Sequence, residues 1–380
     1  MKRLILAGGG HAHLLVLQQL TKHPRPDLDV VLISPSRWQY YSGMLPGWIA
    51  GYYRLEECRV DLVPLVKAAG ARFIIEPIAG MNADRQCVCP PDGRHIEYDW
   101  LSLNVGSESD LTWLSALGSR LLPVKPWPEF LLGWKAILEA AGAHPAYRLL
   151  VIGGGAAGVE LASAARTVLR KVSPSSSVAL ITGNSGLLSD HAPGVQIKVR
   201  HALQRADISV IPNRAVGAEH GVLLDSGERL TADKVIAATG ARAPVWLTLS
   251  GLQLDSAGYV QVDAYHRSHS HPTVYAVGDV GSRSDVRLSR SGVHAVRVAP
   301  VLAHNLLAAI DGAPLRPYRP RHRVLYLLAL GERRAVASWG PLSSKGAWVW
   351  RWKDWIDRRF IRQFANPMPQ AVKSEVETET

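Results

Sequence analysis

Two clusters of glycine residues stand out in this 380-residue chain, each directly after a short apolar run. The range 8–10 follows the apolar run 4–7, and the range 153–155 follows the apolar run 149–152 and is completed by Gly158. Glycine lets the backbone approach a pyrophosphate, and a following helix presents unpaired N–H groups with about half a positive charge. The two motifs predict two nucleotides held by one chain.

The similarity between the two parts of the chain extends beyond the glycines. One later apolar strand ends at Gly106, and the corresponding strand of the second part ends at Gly240. A third such strand ends at Gly278 and Asp279, where a carboxylate can accept hydrogen bonds from the hydroxyl groups of a ligand. The pattern indicates an internal duplication.

Two departures from the usual dinucleotide motif are visible. His13 stands where the first motif would have its third glycine, so helix and strand are not expected to pack as closely there. The second strand of each part ends at Ser34 or Thr182 rather than at the acid that usually binds the ribose. The sequence therefore does not distinguish NADH from NADPH.

These motifs require an α/β fold. We predict two Rossmann-like dinucleotide-binding domains, the second inserted in the first, and a small C-terminal α+β cap with an amphipathic helix. The predicted bounds are 1–110 and 265–317 for the first domain, 111–264 for the second, and 318–380 for the cap, with its helix at 345–364.

In motif order, over nearly its whole length, the chain resembles the two-dinucleotide-binding-domain flavoproteins of the pyridine nucleotide-disulfide oxidoreductase superfamily. The resemblance implies that Gly8, Gly10 and Asp279 serve FAD, and that Gly153, Gly155 and Gly158 serve NAD(P)H. The full set of predicted cofactor-binding residues is Gly8, Gly10, His11, Ser34, Gly106, Gly278, Asp279, Gly153, Gly155, Gly158, Thr182 and Gly240.

The cysteines indicate which reactions of that superfamily to expect. Disulfide-reducing members carry a cysteine pair near the flavin. The corresponding segment of this chain, residues 38–47, contains no cysteine. Sulfide:quinone oxidoreductases carry further cysteines in the nucleotide domain and near the C-terminus, and this chain has only Cys58, Cys87 and Cys89. We interpret these three as small hydrophobic residues and expect no metal site.

Three residues are candidates for catalysis. Glu160 follows the second glycine motif, in what we expect to be the first turn of its helix, where the helix dipole would stabilise a carboxylate. Type II NADH dehydrogenases, which the chain also resembles, have a glutamate at this motif position near flavin and nicotinamide. His294 and Arg297 lie where those enzymes have a helix lining the quinone pocket, and an imidazole can protonate a reduced quinone oxygen. An ordinary structural role remains the alternative for Glu160 and His294.

The C-terminal segment carries a different signal. Residues 345–362 contain six basic and two acidic residues, hence a net charge of +4, and Trp348, Trp352, Trp355, Ile356 and Phe360 recur at helical spacing. A helix with one aromatic face and basic residues opposite suits an anionic membrane surface. Packing of the face on the C-terminal sheet, or across a homodimer, is the alternative.

The overall composition suits a soluble globular protein, with 47% hydrophobic and 20% charged residues. The net charge of +11 is spread along the chain without a nucleic-acid motif, so we expect no nucleic-acid partner. No run approaches the roughly 18 apolar residues of a spanning helix. We expect a cytoplasmic protein, or one bound to the cytoplasmic face of the inner membrane.

The predicted function follows from these residues. An FAD-dependent NAD(P)H oxidoreductase would pass electrons from the nicotinamide nucleotide through flavin to a quinone-type acceptor without a redox disulfide. The segment 318–364 and the Gly8–His13 motif resemble those of flavoproteins sometimes fused to selenide, water dikinase. A soluble selenium- or sulfur-related acceptor, or a redox-sensing role with slow turnover, remains the alternative.

Overall fold

The computed structural model describes residues 1–286, 288–290 and 292–365. The end of the predicted cap, 366–380, therefore lies outside the described residues. The N-terminal part contains the strands β1 (Lys2–Ala7), β2 (Leu28–Ile33), β3 (Trp38–Tyr40), β4 (Arg59–Asp61), β5 (Arg72–Ile74), β6 (Gly80–Asn82), β7 (Cys87–Cys89), β8 (Ile96–Glu97), β9 (Trp100–Leu103) and β10 (Glu108–Ser109). Its helices are α1 (His11–Lys22), α2 (Leu45–Ile49) and α3 (Leu62–Ala68).

From β12 onward, the middle part repeats the main order of these elements. Its strands are β11 (Leu121–Pro123), β12 (Arg148–Ile152), β13 (Ser177–Ile181), β14 (Ile208–Ile211), β15 (Ala215–Ala218), β16 (Gly221–Leu224), β17 (Arg229–Thr231), β18 (Lys234–Ala237) and β19 (Ala241–Arg242). Its helices are α4 (Trp127–Ala143), α5 (Ala156–Val172) and α6 (Pro193–Arg205).

The remaining elements complete the first sheet and form the C-terminal layer. The strands are β20 (Val260–Val262), β21 (Val274–Ala276), β22 (Gly281–Arg283), β23 (Leu325–Ala329), β24 (Ala335–Trp339) and β25 (Leu342–Gly346). The helices are α7 (Gly292–Ile310) and α8 (Ala347–Arg362).

Two five-stranded parallel sheets have the same architecture. The first has the order β21-β9-β1-β2-β5 and the second β11-β18-β12-β13-β14, so each glycine turn follows the central strand of its sheet. Each sheet also has a three-stranded antiparallel addition, β6-β7-β8 or β15-β16-β17. The predicted α/β fold with two dinucleotide-binding units is confirmed. The parallel strands are apolar because helices cover one face of each sheet and the three-stranded addition packs on the other.

The two glycine motifs pack differently against their own helices. At Gly158, an added Cβ would overlap the carbonyl of Gly153, so strand turn and helix are in direct contact. At the equivalent position of the first motif, His13 is fully buried, and its Nδ1 lies 2.6 Å from the carbonyl oxygen of Gly8. Its Nε2 lies 2.8 Å from Ser102 Oγ. A hydrogen-bonded imidazole thus replaces the close glycine contact.

The helix α7 is the longest apolar helix of the described residues. Its 19 residues have a mean hydropathy of 1.4, so by length and composition alone this helix could cross a membrane, contrary to the prediction that no run approaches a spanning helix. Half of it is buried, and it packs along α1 in the core of the first unit. Burial within the fold accounts for its apolar character.

The C-terminal layer consists of the antiparallel sheet β23-β24-β25 and the helix α8, which packs against it. The strand β23 also contacts α5, the helix of the second glycine motif. The cap therefore places α8 next to both α5 and the loops that follow β3.

Candidate functional site

One cavity of about 660 Å³ lies at the carboxyl ends of β1, β2 and β9, where parallel α/β sheets bind their ligands. Seven of the predicted cofactor-binding residues line it: Gly8, Gly10, His11, Ser34, Gly106, Gly278 and Asp279. Aromatic side chains complete the wall, namely Trp38, Tyr40, Trp127 and Trp246. Tyr40 and Trp127 stack with ring centroids 5.3 Å apart, so the two units meet at the cavity.

Asn104 holds the cavity floor together, although the sequence did not single it out. This buried residue follows β9, and its Oδ1 accepts a hydrogen bond from the Ala12 amide at 3.1 Å. Its Nδ2 donates to the carbonyl of Val277 at 3.0 Å. One amide thus fixes the start of α1 against the turn that carries Asp279. Side chains added at Gly8 or Gly10 would overlap Asn104, which explains both glycines.

Asp279 belongs to a small polar network. Ser107 Oγ donates to its carboxylate at 3.0 Å, and Lys125 Nζ lies 3.5 Å from the same oxygen. Lys125 comes from the segment before α4, in the second unit, and was not predicted. Because it is 44% exposed, its charge remains available to a ligand as well as to Asp279.

The residues present fit a dinucleotide cofactor. The glycine backbone at the start of α1 suits a pyrophosphate, and Ser34 and Asp279 can bind hydroxyl groups. His11 Nε2 is buried and has no hydrogen-bond partner among the residues that the structure describes. Burial lowers the pKa of His11 to about 4, so a neutral imidazole faces the cavity and can donate to or accept from a ligand.

The second glycine motif is built to approach a ligand in a different way. Gly153 has a positive φ of 135°, and an added Cβ there would overlap the carbonyl of Ala238. A Cβ at Gly155 or at Gly240 would instead meet nothing within 4 Å. Thr182 directly follows β13 and is buried next to Gly154 of the glycine turn. The open space above Gly155, at the start of α5, suits a second pyrophosphate.

Glu160 lies away from this open space, facing the C-terminal layer. It is the fifth residue of α5, so the expectation of a first-turn position was wrong. Its Oε1 accepts a hydrogen bond from the amide of Ala329 in β23 at 2.7 Å. Burial raises its pKa to about 7, more than the nearby Lys353 charge lowers it. The expected stabilisation of the carboxylate by the helix dipole is thus outweighed by desolvation.

A buried ion pair adjoins Glu160. Lys353 Nζ in α8 lies 2.6 Å from Asp357 and donates to the carbonyl of Gly43, also at 2.6 Å. Burial alone would lower the pKa of Lys353, but the Asp357 and Glu160 carboxylates outweigh it and raise that pKa. The hydroxyl of Tyr41 interacts with Asp357, and burial raises the tyrosine pKa.

Ring contacts connect this ion pair to the cavity. The Tyr41 ring stacks on Phe360 of α8 with centroids 4.6 Å apart, and its edge meets His11 at 5.5 Å. These contacts therefore connect Glu160, α8 and the first glycine turn in one packed cluster. Sequence reasoning missed Tyr41, Lys353 and Asp357, because only the folding of α8 onto the first unit brings them together.

The other two predicted catalytic residues are not part of the cavity lining. Gly292 and Ala295 of α7 line the cavity, whereas His294 and Arg297 do not. His294 Nδ1 and Arg297 Nη1 are both buried without a partner among the described residues. Burial and the adjacent Arg297 charge lower the pKa of His294, which favours its neutral form. None of the three predicted catalytic residues lines the cavity, and Glu160 lies on a different helix from the His294–Arg297 pair.

The aromatic face of α8 differs in part from the prediction. Trp348, Trp352 and Trp355 are 53%, 38% and 52% exposed, so they do not pack on the C-terminal sheet. Phe360 was predicted to share their face but is buried against Tyr41. The side of α8 turned toward the protein instead carries Val349, Lys353, Asp357 and Phe360.

Two fused dinucleotide folds that meet at one glycine-rich cavity define the class of two-domain nucleotide-dependent reductases. Residues 2–300 match the family described as pyridine nucleotide-disulphide oxidoreductase. The chain belongs to that family, and the prediction of an FAD-dependent NAD(P)H oxidoreductase is confirmed.

Individual relatives are more distant. The chain is 23% identical over 281 residues to ferroptosis suppressor protein 1 of Taeniopygia guttata, covering 70% of this chain and 71% of that protein. It is 24% identical over 362 residues to the alternative NAD(P)H-ubiquinone oxidoreductase C1 of Arabidopsis thaliana, covering 83% and 69%. Among solved structures, the sulfide:quinone oxidoreductase of Aquifex aeolicus superposes with a TM-score of 0.81 at 18% identity, covering 97% and 92%. That structural likeness shows the shared fold.

Proposed function

We propose that this enzyme oxidises NAD(P)H and passes the electrons to a quinone-type acceptor without a cysteine relay. The observation that carries the proposal is the cavity itself, whose lining residues include no cysteine and whose walls are glycine turns, aromatic rings and Asp279. The relative from Arabidopsis thaliana is named as an NAD(P)H-ubiquinone oxidoreductase, which supports this acceptor class. The motifs of residues 318–364 support a place among the type II NADH dehydrogenase-like flavoproteins.

The same proposal divides the two nucleotides between the two units. FAD would bind the unit that contains β1 and β21, through the Gly8–Gly10 turn and Asp279, and NAD(P)H the unit that contains β12, through Gly153, Gly155 and Gly158. The division uses the predicted bounds 1–110 with 265–317, and 111–264, although buried side chains of the range 243–262 pack in the core of the first unit. A bound flavin supplies the hydride-accepting and electron-donating chemistry, while the protein orients both nucleotides and manages protons.

Glu160 is the residue best placed to manage a proton. With a pKa of about 7, its carboxyl exchanges a proton readily near neutral pH, which general acid–base catalysis requires. The Ala329 amide fixes one carboxylate oxygen, and Lys353 limits how far burial raises the pKa. His294 and Arg297 would offer polar contacts to the acceptor from α7.

Stopped-flow absorption spectroscopy of the flavin-loaded protein tests the acceptor. NADH or NADPH should bleach the flavin spectrum within one turnover, and a short-chain ubiquinone should reoxidise it at least ten times faster than air. Bleaching followed by equal reoxidation rates with quinone and air would reject the quinone and point to a soluble acceptor. A long-lived reduced complex with every acceptor would point to a sensing role.

We propose in addition that α8 binds an anionic membrane surface. Its outward side combines Trp348, Trp352 and Trp355 with exposed arginines at 351, 359 and 362, and tryptophan with arginine is the composition of interfacial helices. Arg359 stacks over Trp355 at 5.4 Å. Peripheral binding of this kind would bring the enzyme to a lipid-soluble acceptor.

Vesicle co-sedimentation tests this surface. The chain should bind vesicles that contain phosphatidylglycerol and be released by high salt, because each arginine near an anionic surface contributes about 1 kcal/mol. Replacing the three tryptophans of α8 by serine should weaken binding at least tenfold. The matched control is Trp339→Ser, which removes a 46% exposed tryptophan outside α8. An equal loss of vesicle binding in the control would reject the membrane surface in favour of nonspecific hydrophobic adsorption. A change from dimer to monomer in the triple variant would reject it in favour of a homodimer interface.

A further inference from the structure

Three metal-binding side chains converge outside the cavity. Cys87 and Cys89 lie two residues apart on β7 and so point to the same face, while Val88 between them packs into the core. His95 follows the turn that leads to β8, and its Nδ1 lies 3.2 Å from the sulfur of Cys87 and 3.6 Å from that of Cys89. The three ligand atoms all lie within 4.8 Å of one another.

These separations match those of ligands around one metal ion. With Zn–S bonds of about 2.3 Å and Zn–N bonds of about 2.0–2.1 Å, tetrahedral geometry places sulfur and nitrogen about 3.6 Å apart and two sulfurs about 3.8 Å apart. The arrangement therefore needs only small side-chain adjustments to bind an ion. The earlier interpretation of both cysteines as small hydrophobic residues did not take His95 into account.

The turn between β7 and β8 holds His95 in place. Gly93 has a positive φ of 80°, and the Asp92 carboxylate accepts a hydrogen bond from the Arg94 amide at 3.1 Å. Pairing of Val88 with Ile96 closes the hairpin. The geometry thus follows from a backbone turn and from strand register rather than from a flexible loop.

The exposure of the cluster gives an ion a route in. Cys87 is buried, Cys89 is half-buried and His95 is exposed, so the outer side of the cluster faces solvent. Three protein ligands leave a fourth tetrahedral position, which a water molecule can fill. Two sulfurs with one imidazole favour a thiophilic ion such as Zn²⁺ over Mg²⁺ or Ca²⁺, which take oxygen ligands.

This cluster is separate from the proposed flavin site. None of its three residues lines the cavity. The two are nevertheless connected through the segment that leads into β6. The Ala79 amide donates to the carbonyl of Cys89 at 2.9 Å, and the preceding Pro77 and Ile78 form part of the cavity wall. An ion on the hairpin would therefore stiffen the segment that leads directly into that wall.

From these observations we propose that Cys87, Cys89 and His95 form a binding site for a thiophilic divalent cation, with water as the fourth ligand. Each ion bound would displace the protons of the two thiols into solvent, and the neutral imidazole would coordinate through Nδ1. The site requires no change in oxidation state of the protein.

Titration with Co²⁺ under anaerobic conditions tests the proposal, using flavoprotein whose thiols have been reduced and whose bound metal has been removed with a chelator. One equivalent should produce the visible d–d absorption of tetrahedral thiolate-bound cobalt, at wavelengths longer than those of the flavin bands. Zn²⁺ should then bleach that absorption by displacement, and it should protect Cys87 and Cys89 from alkylation as mapped by peptide mass spectrometry.

Variants separate this site from weaker metal contacts. Cys87→Ser, Cys89→Ser and His95→Gln should each weaken Co²⁺ binding at least about 100-fold, more than the loss of an outer-shell partner usually costs. Cys58→Ala, which removes a buried thiol elsewhere, and His201→Gln, which removes an exposed imidazole elsewhere, should retain full binding. His95 is exposed, so its variant should keep the wild-type flavin content and circular dichroism spectrum.

Absence of thiolate-bound cobalt absorption in the wild type, or its persistence in the folded His95→Gln protein, would overturn the proposal. Either result would leave the proposed electron transfer untouched.

Discussion

At the scale of single residues, His13 replaces the third glycine of the first motif and still connects α1 to the preceding strand turn. The Gly8 atom that His13 contacts is a carbonyl oxygen, which can only accept, so His13 Nδ1 must donate to it and Nε2 must accept from the Ser102 hydroxyl. The imidazole is neutral in the folded protein because burial lowers the pKa of His13 to about 4. Two hydrogen bonds compensate for the glycine contact found in the second motif.

This buried histidine predicts that the protein loses stability in mild acid. The unfolded chain has a histidine pKa near 6.5 and the folded chain one of about 4, so the unfolded state takes up the extra proton between these values. The stabilisation is complete above pH 6.5 and is lost as the pH falls toward 4, by about 3 kcal/mol for His13. Urea unfolding at pH 7.5 and pH 5 measures this. A His13→Asn variant should show a smaller pH dependence, whereas the exposed-site control His201→Asn should match the wild type. An unchanged pH dependence in His13→Asn would contradict the assignment.

Two glycines of the second motif predict opposite phenotypes. Alanine at Gly158 would overlap a backbone carbonyl and should lower the free energy of unfolding by about 1–3 kcal/mol. Alanine at Gly155 meets no protein atom and should leave stability within about 0.5 kcal/mol of wild type. Because its methyl group would occupy the proposed pyrophosphate space, Gly155→Ala should raise the KM for NAD(P)H at least tenfold. Steady-state kinetics together with urea unfolding compare the pair, and an unchanged KM in Gly155→Ala would show that no nucleotide binds there.

The proposed proton transfer at Glu160 predicts a specific pH profile. The carboxyl is protonated below pH 7 and ionised above it, so turnover with quinone should fall as the pH rises through about 7. Glu160→Gln keeps an acceptor for the Ala329 amide but cannot exchange a proton. Its turnover should fall about 100-fold and lose the pH dependence near 7. Glu139→Gln removes an exposed carboxylate of α4 and serves as the control. Retention of the wild-type profile in Glu160→Gln would assign the proton transfer to another group.

At the scale of secondary structure elements, α8 joins two kinds of surface in one helix. The sequence correctly predicted a helix with exposed tryptophans, because their spacing follows the helical period. It did not predict that the opposite side would bury Lys353 and Asp357, since charged residues at helical spacing normally indicate a solvated side. The difference arises from tertiary packing, which supplies Gly43 and Tyr41 as partners.

A double-mutant cycle measures how this ion pair fixes α8. Lys353→Met leaves Asp357 buried without its cation and should cost about 3–5 kcal/mol of unfolding free energy. Adding Asp357→Leu should recover most of that loss, because an apolar pair of similar volume avoids the unpaired charge. The exposed pair Arg170 and Glu332 provides the comparison, with a loss of about 0–1 kcal/mol on breaking it. If Lys353→Met cost no more than the exposed control, the buried pair would not anchor the helix.

At the scale of the whole molecule, the duplication could be predicted from the sequence because glycine turns and apolar strands recur in the same order in both units. Contacts between residues from distant segments could not be predicted in this way. Lys125 reaches Asp279 only because α4 packs at the mouth of the first unit, and Asn104 acts through atoms of Ala12 and Val277. Such contacts depend on how the units dock, for which a single sequence carries no periodic signal.

The proposed electron transfer depends on a flavin bound at the first glycine turn. The most direct measurement is the visible absorption spectrum and FAD content of the purified protein, before and after addition of NADH or NADPH. We predict a yellow protein with one FAD per chain whose flavin absorption is bleached by the reduced nucleotide. A colourless protein that takes up no FAD when it is supplied would show that the first glycine turn binds no flavin.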